Sequence, residues 1–536
     1  MLKRYRIPLR VEASPNLNLV AVAVEELSGG FSTWIIGFEE SRIRGVYPKC
    51  LEALWSKDGR LALVCFEDGF WRIKVVLDSG PHTVYETTNP IAMAKWVDSN
   101  RIGFLEANTL KLISLWSGVP TTIARNVQAW SASRRGRIAV ASMGTVKVLT
   151  RSEWHEVVGG LGDIDSIDWS PDESSIVVRR VSESETAITV IDVEASSYRD
   201  LARTEGYTGL DLVYMSMRLP SGPRWCENNT IYYVLPSGRT LSLYRVEPSG
   251  GAERLTPHDF CVHDFTVSID GASVAYIASS PTSPCEVWGY SAGGSSWRVT
   301  RFSEALDETT LIPEKALVSV NGQDIPILYY PPARHEPGRR MPLAVLVSDV
   351  SKGSILTPYN LLAQLLSHVG FYTVVMGWPK PFEVHERVVK GVHRVVEVLG
   401  SRLPYVDSSQ LLLVASGYSF QPCSKVAVEA NAIGLVGYNP IIDSLVEEKC
   451  MGDARLARRM IDLGYRMAVI PSRTRILLVF TRDAITSKAQ YLAAKALEQA
   501  GRAMVITTSN VLESLIEVVR WAASLVGKTL VFLEAS

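Results

Sequence analysis

Neither sign of charge is in excess: 55 Lys and Arg face 56 Asp and Glu along 536 residues, a formal net charge of −1. That balance, with the basic residues scattered rather than massed, excludes a field able to draw in nucleic acid or an anionic membrane. No uninterrupted apolar run is long enough to span a bilayer. The opening MLKRYRIPLRVEA is basic but leads into no apolar stretch of the kind a secretory leader needs. A soluble, cytoplasmic protein is expected. Cysteine is scarce: Cys50, Cys65, Cys226, Cys261, Cys285, Cys423 and Cys450 are odd in number, widely spaced and without a CxxC pair. They read as small buried apolar residues rather than a disulfide frame or a zinc site, so neither metal nor cofactor is expected. Histidine is rarer still where chemistry would need it. The eight are His82, His155, His258, His263, His335, His368, His385 and His393, and none follows position 393.

What is present is ample apolar material. With 47% hydrophobic and 21% charged residues, the chain is globular and too long for one core, so two domains are expected. The first three hundred residues repeat. A strand end, a turn and a new apolar strand recur as ASPNLNLVAVAV at Ala13, WSKDGRLALVCF at Trp55, WVDSNRIGFLEA at Trp96 and WSASRRGRIAVAS at Trp130. WSPDESSIVVRR at Trp169, WCENNTIYYVLP at Trp225 and VSIDGASVAYIAS at Val267 continue the series. Seven units of about forty residues, rich in short strands, predict a seven-bladed β-propeller, with an insertion around 207–220 in the longest interval. The recurring Trp is expected to pack between blades, and the Asp-Gly and Asn-Asn that follow are turn chemistry.

After about Leu311 the period changes. Residues 316–332 alternate about a turn as a hairpin would, and 343–347 read as a buried strand. Helices are predicted over 360–368, 385–399, 424–432, 487–500 and 512–525. Strands are predicted over 372–376, 411–415, 433–437, 475–481 and 504–507. A last apolar run at 530–533 has no evident place. Strict alternation implies a mainly parallel sheet with helices on both faces, an α/β-hydrolase arrangement. The domains are read as 1–310 and 311–536.

Within that second half, LLLVASGYSFQPCSKVAVEA at 411–430 is strand, sharp turn and helix. A hydrolase nucleophile sits on such a turn with a small residue two before it and another two after. For Ser419 the first is Gly417, but the second place holds Gln421, followed by Pro422.

A propeller followed by such a domain resembles the prolyl oligopeptidase family of serine peptidases, most closely its acylaminoacyl-peptidase-like branch. The segment RLTPHDFCVHDFTVSIDGASVAYIASSPTSPCEVW, residues 254–288, resembles that family's last blade, and IPEKALVSVNGQDIPILYYPP resembles its passage into the hydrolase domain. The similarity spans essentially the whole chain. It implies Ser419 as the nucleophile position and Asp483, after the 475–482 run, as the triad aspartate. The family histidine has no counterpart: its place reads Thr507-Thr508-Ser509-Asn510. The family's His-Gly-Gly-Pro oxyanion motif is replaced by Ser348-Asp349-Val350-Ser351. The oxyanion-hole equivalents are then Asp349 and the backbone N–H of Phe420, and a carboxylate at Asp349 opposes the charge stabilisation such a hole supplies.

Without a base a serine hydroxyl is a poor nucleophile. Lys425 would have to bend back along its helix, and His385 and His393 read as residues of a solvated helix face. Asp483, just ahead of Thr486-Ser487, also suits a helix start without catalysis. His258 and His263, beside Asp259 and Asp264, read as propeller-turn residues. The expectation is a catalytically impaired homologue that binds a peptide or acyl ligand between its domains, or pairs with an active relative or another copy. Two alternatives stay open: an active peptidase or esterase using Ser419 with an unidentified base, and a propeller that serves as a partner-binding scaffold.

Overall fold

The structure is a computed structural model that describes the chain except residues 1–4, 27–29, 151–152, 183–184, 206–221, 238–239, 248–249, 292, 308, 321, 335–337, 348–358, 378–384, 441–473, 482–487, 500, 502, 509–510 and 529–536. The chain forms two compact units, with the main change between Ala305 and Leu306.

The first unit is a seven-bladed propeller. Its seven four-stranded antiparallel sheets cover residues 6–48, 50–87, 91–124, 129–158, 163–205, 224–254 and 261–298, so each blade is one contiguous stretch of chain. First strands neighbour one another from blade 1 through blade 6, and that of blade 7 lies against that of blade 1. They therefore line the centre, while last strands such as Ile43–Pro48 and Pro120–Ala124 contain no fully buried residue. Among the described residues no strand is exchanged between blades, and side chains and loop backbone close the ring. Asp264 Oδ2 accepts from Val11 N–H at 3.0 Å and Thr266 Oγ1 from Ala13 N–H at 3.1 Å. Trp297 packs on Phe38, ring centroids 4.9 Å apart.

The repeated tryptophans do pack between blades. Trp96 Nε1 donates to the Leu54 carbonyl of blade 2 at 3.2 Å, and Trp130 Nε1 to the Met93 carbonyl of blade 3 at 2.9 Å. Gly103 leaves room for Trp130, since a Cβ there would lie 2.3 Å from its ring. The turn after the first strand is held by a serine bonded to the aspartate two residues on. The pairs Ser56–Asp58, Ser170–Asp172 and Ser268–Asp270 each measure 2.6 Å. The expected insertion at 207–220 lies outside the described residues.

Two readings from the sequence are corrected. Cys50 and Cys65 form a disulfide. They stand directly opposite each other on the first two strands of blade 2, a pairing that their wide spacing concealed. Cys226, Cys261, Cys285 and Cys423 are buried, as expected, and Cys450 lies outside the described residues. His263 is not in a turn but inside the strand Cys261–Val267. It is 5% exposed and its Nε2 meets Ser279 Oγ at 2.7 Å, and burial pushes its pKa down to about 3, leaving it neutral. His258 is exposed beside Arg254.

The second unit carries an eight-stranded sheet. Its strands are β1 (Glu314–Val320), β2 (Gln323–Tyr330), β3 (Met341–Val347), β4 (Tyr372–Met376), β5 (Val406–Ser416), β6 (Gly434–Tyr438), β7 (Arg475–Thr481) and β8 (Met504–Thr508). The order is β1-β2-β4-β3-β5-β6-β7-β8. The β1/β2 hairpin is antiparallel, as is β2 to β4, and the other pairs are parallel. β3, MPLAVLV, is buried throughout, as a strand covered on both faces must be. The helices are α1 (Leu361–His368), α2 (His385–Arg402), α3 (Phe420–Glu429), α4 (Lys488–Gln499) and α5 (Val511–Leu525). Asn360 caps α1, its side chain accepting from Ala363 N–H at 2.9 Å. Val388, Val392 and Val395 of α2 and Phe420 and Val426 of α3 share a core with Leu343, Val345, Leu411 and Leu413. On the opposite face Trp521 and Leu525 of α5 close over Gly434, where a Cβ would stand 3.0 and 2.6 Å from them.

Candidate active site

In an open α/β sheet a ligand crevice forms beyond the C-terminal ends of the strands, where the order reverses. Here the chain passes from β3 to β4 on one side and to β5 on the other, so the switch lies between the ends of β3 and β5. The segment after β3 holds Asp349, which lies outside the described residues, as does Asp483 after β7. The turn after β5 is described in full.

β5 ends at Ser416, whose backbone is extended at φ −110° and ψ 152°. Gly417 follows with φ +50°, the left-handed region that costs an L-residue about 1–2 kcal/mol and glycine nothing comparable. One turn of 3-10 helix, Gly417–Ser419, then runs into α3. Ser419 has φ −71° and ψ −12°, an ordinary helical conformation, and is wholly buried. Thus the positive φ that marks a strand-to-helix elbow falls on Gly417, directly after the strand, and not on Ser419.

The neighbours fit that register. Two residues before Gly417 stands Ala415 and two after stands Ser419, both small and both with no exposed surface. Read this way, the pattern Ala415-Ser416-Gly417-Tyr418-Ser419 has small residues at both crowded places, and Gln421 is simply the second residue of a helix. That helix starts at Phe420, four residues earlier than the sequence suggested. Pro422 fits there because the N–H groups of a first turn have no partner within the helix. The Phe420 N–H is already donated to the Gly417 carbonyl, and its ring presses against β6, where a Cβ on Gly437 would meet it at 2.8 Å. The signal that could have found this register was in the sequence: a glycine flanked at two residues on each side by Ala and Ser.

Two of the candidate bases, His393 and Lys425, point elsewhere. His393 Nε2 is 2.7 Å from Glu429 Oε2 at the last residue of α3, about 15 Å along the helix from its N-cap Ser419 at 1.5 Å per residue. Lys425 leans the same way, its Nζ 3.9 Å from Glu429. His385 opens α2. Thr507 and Thr508 end β8, Thr508 buried. Among the described residues no cluster of three His, Cys, Asp or Glu side chains is arranged to hold a metal ion.

No family model and no curated protein matches the sequence. Solved structures do match its shape. An acylaminoacyl peptidase in complex with Z-Gly-Gly-Phe-chloromethyl ketone superposes with a TM-score of 0.75 at 13% identity, covering 100% of this chain and 97% of that one. The Pyrococcus horikoshii acylaminoacyl peptidase gives 0.74 at 14% over 99% and 97%. A puromycin-hydrolyzing peptidase of Mycobacterium tuberculosis gives 0.75 at 12% over 98% and 95%. The chain therefore has the fold of these peptidases along its whole length.

Proposed function

We propose that this chain is a binding homologue of the acylaminoacyl peptidases, one that takes a peptide or acyl ligand at the C-terminal ends of its parallel strands and does not hydrolyse it. The observation that carries the reading is the left-handed Gly417 directly after β5: the elbow presents a hydrogen where a nucleophile would carry its oxygen. Ser419, two residues on, is buried in ordinary helical geometry, and no histidine follows position 393 in the sequence. Because triad members act as a unit, such losses are worth on the order of 10⁶-fold in turnover.

Hydrolysis of p-nitrophenyl butyrate tests the reading, because activated esters need the least help from the enzyme. The chain and its Ser419→Ala variant are expected to give the same background rate, while calorimetry with Z-Gly-Gly-Phe detects binding. A turnover at least a hundredfold above background and lost in Ser419→Ala would establish an active hydrolase instead.

A further inference from the structure

The first strands of the propeller blades deliver charged side chains to one place. Arg10 and Glu12 come from blade 1, Lys95 from blade 3, Asp168 from blade 5, Arg224 from blade 6 and Asp264 from blade 7. Their interactions skip blades, which requires that they converge on the ring's centre. Arg224 Nη2 lies 3.3 Å from Glu12 Oε2, bypassing blade 7, and Lys95 feels the charges of Arg224, Asp168, Glu12 and Arg10. Glu12 and Arg224 nevertheless keep 34% and 29% of their side-chain surface open to solvent. Groups ringed by protein and still wetted line a channel.

The carboxylates there are occupied. Asp168 accepts from the Ser131 hydroxyl at 3.1 Å and the Trp225 N–H at 3.0 Å. Asp264 accepts from Val11 N–H and faces Arg10 at 3.8 Å, and Glu12 faces Arg224. Lys95 is different. Its ammonium donates to the Trp130 carbonyl at 3.2 Å, and among the described residues no carboxylate forms an ion pair with it. An ammonium has three protons to donate, so two remain for a ligand. Burial first, then the like charge of Arg224, pushes its pKa down to about 8, the behaviour of a cation short of counter-charge.

We propose that Lys95 is the binding group of a site in the propeller channel for a small monoanionic carboxylate. The charge balance selects that class. Arg10 and Arg224 each have a carboxylate beside them, Asp264 and Glu12, whereas among the described residues Lys95 has none, so the vacancy is for one negative charge. A dianion such as phosphate leaves excess negative charge among three carboxylates. The site lies within the first unit and does not depend on whether the second unit catalyses.

The test is calorimetry on the full chain with propionate, using propionamide as the uncharged control and inorganic phosphate, compared with propionate at pH 8, where phosphate is mainly the dianion. Propionate is expected to bind, propionamide not at all, and phosphate at least tenfold more weakly. Lys95→Met loses at least tenfold in affinity and Lys95→Arg recovers most of it. For the unaltered protein, affinity is level from pH 6 to 7 and falls about tenfold per pH unit above pH 8 as Lys95 loses its proton. Binding of propionamide equal to propionate, phosphate binding as tight as propionate, or undiminished binding by a Lys95→Met variant that unfolds at the wild-type temperature would each overturn the proposal. Should Lys95→Met fail to fold, a flat pH profile in the unaltered protein would overturn it.

Discussion

A single dihedral angle separates two accounts of the elbow. At φ +50° glycine is free of the strain that any L-residue carries there, and an active hydrolase tolerates that strain because it aims the nucleophile. Gly417→Ala is therefore expected to lower stability by about 1–2 kcal/mol, read as a lower urea midpoint at unchanged slope. A neutral or stabilising result would mean that Gly417 is not held in that region. Two registers of the elbow meet at this residue. A glycine, any residue and a serine match the first half of an elbow in one register, and Ala415, Gly417 and Ser419 match all of it in another with glycine in the middle. Choosing between them requires knowing where β5 ends, and apolar runs locate strand ends poorly.

At the scale of elements, junctions between blades set how the propeller responds to conditions. Glu106, on the second strand of blade 3, is 5% exposed. It accepts hydrogen bonds from Tyr85 and Thr87 on the last strand of blade 2, from Asn89, and from Lys111 of its own blade. Burial alone would raise its carboxyl pKa, but these donors outweigh burial and pull it down to about 2. A depressed carboxylate stabilises the fold fully above its unfolded value of about 4.3 and loses that contribution as pH falls through about 2. The contribution is at most about 3 kcal/mol. Glu106→Gln is expected to unfold at lower temperature than the unaltered protein at pH 7, with the gap narrowing at pH 3; a gap independent of pH would contradict the assignment. In blade 2 the Cys50–Cys65 bond closes a loop of 15 residues, worth about 3 kcal/mol by chain entropy. Cys65→Ser, compared with the unaltered protein under oxidising and reducing conditions, should show that loss only under oxidising conditions. These contacts were hidden for a common reason: cross-strand partners follow from register, and neither glutamate nor cysteine announces its register. The blades themselves were legible, because the recurring Trp and the Ser-x-Asp turn each report a strand end directly.

For the whole molecule, order and period were enough. A repeat of about forty residues gave seven blades, and the change to alternating strands and helices gave the parallel sheet, because both depend on apolar spacing that survives when catalytic residues do not. Function is not carried by the same pattern. A fold shared with peptidases at 12–14% identity leaves the chemistry to individual side chains. In this chain those are a glycine at the turn, a buried serine behind it and a second half without histidine downstream of the elbow. The most direct measurement is intact-mass analysis after prolonged exposure to a fluorophosphonate, which reacts only with a hydroxyl that is both exposed and activated. The account predicts an unmodified chain. A single stoichiometric adduct that maps to Ser419 and disappears in Ser419→Ala would contradict it.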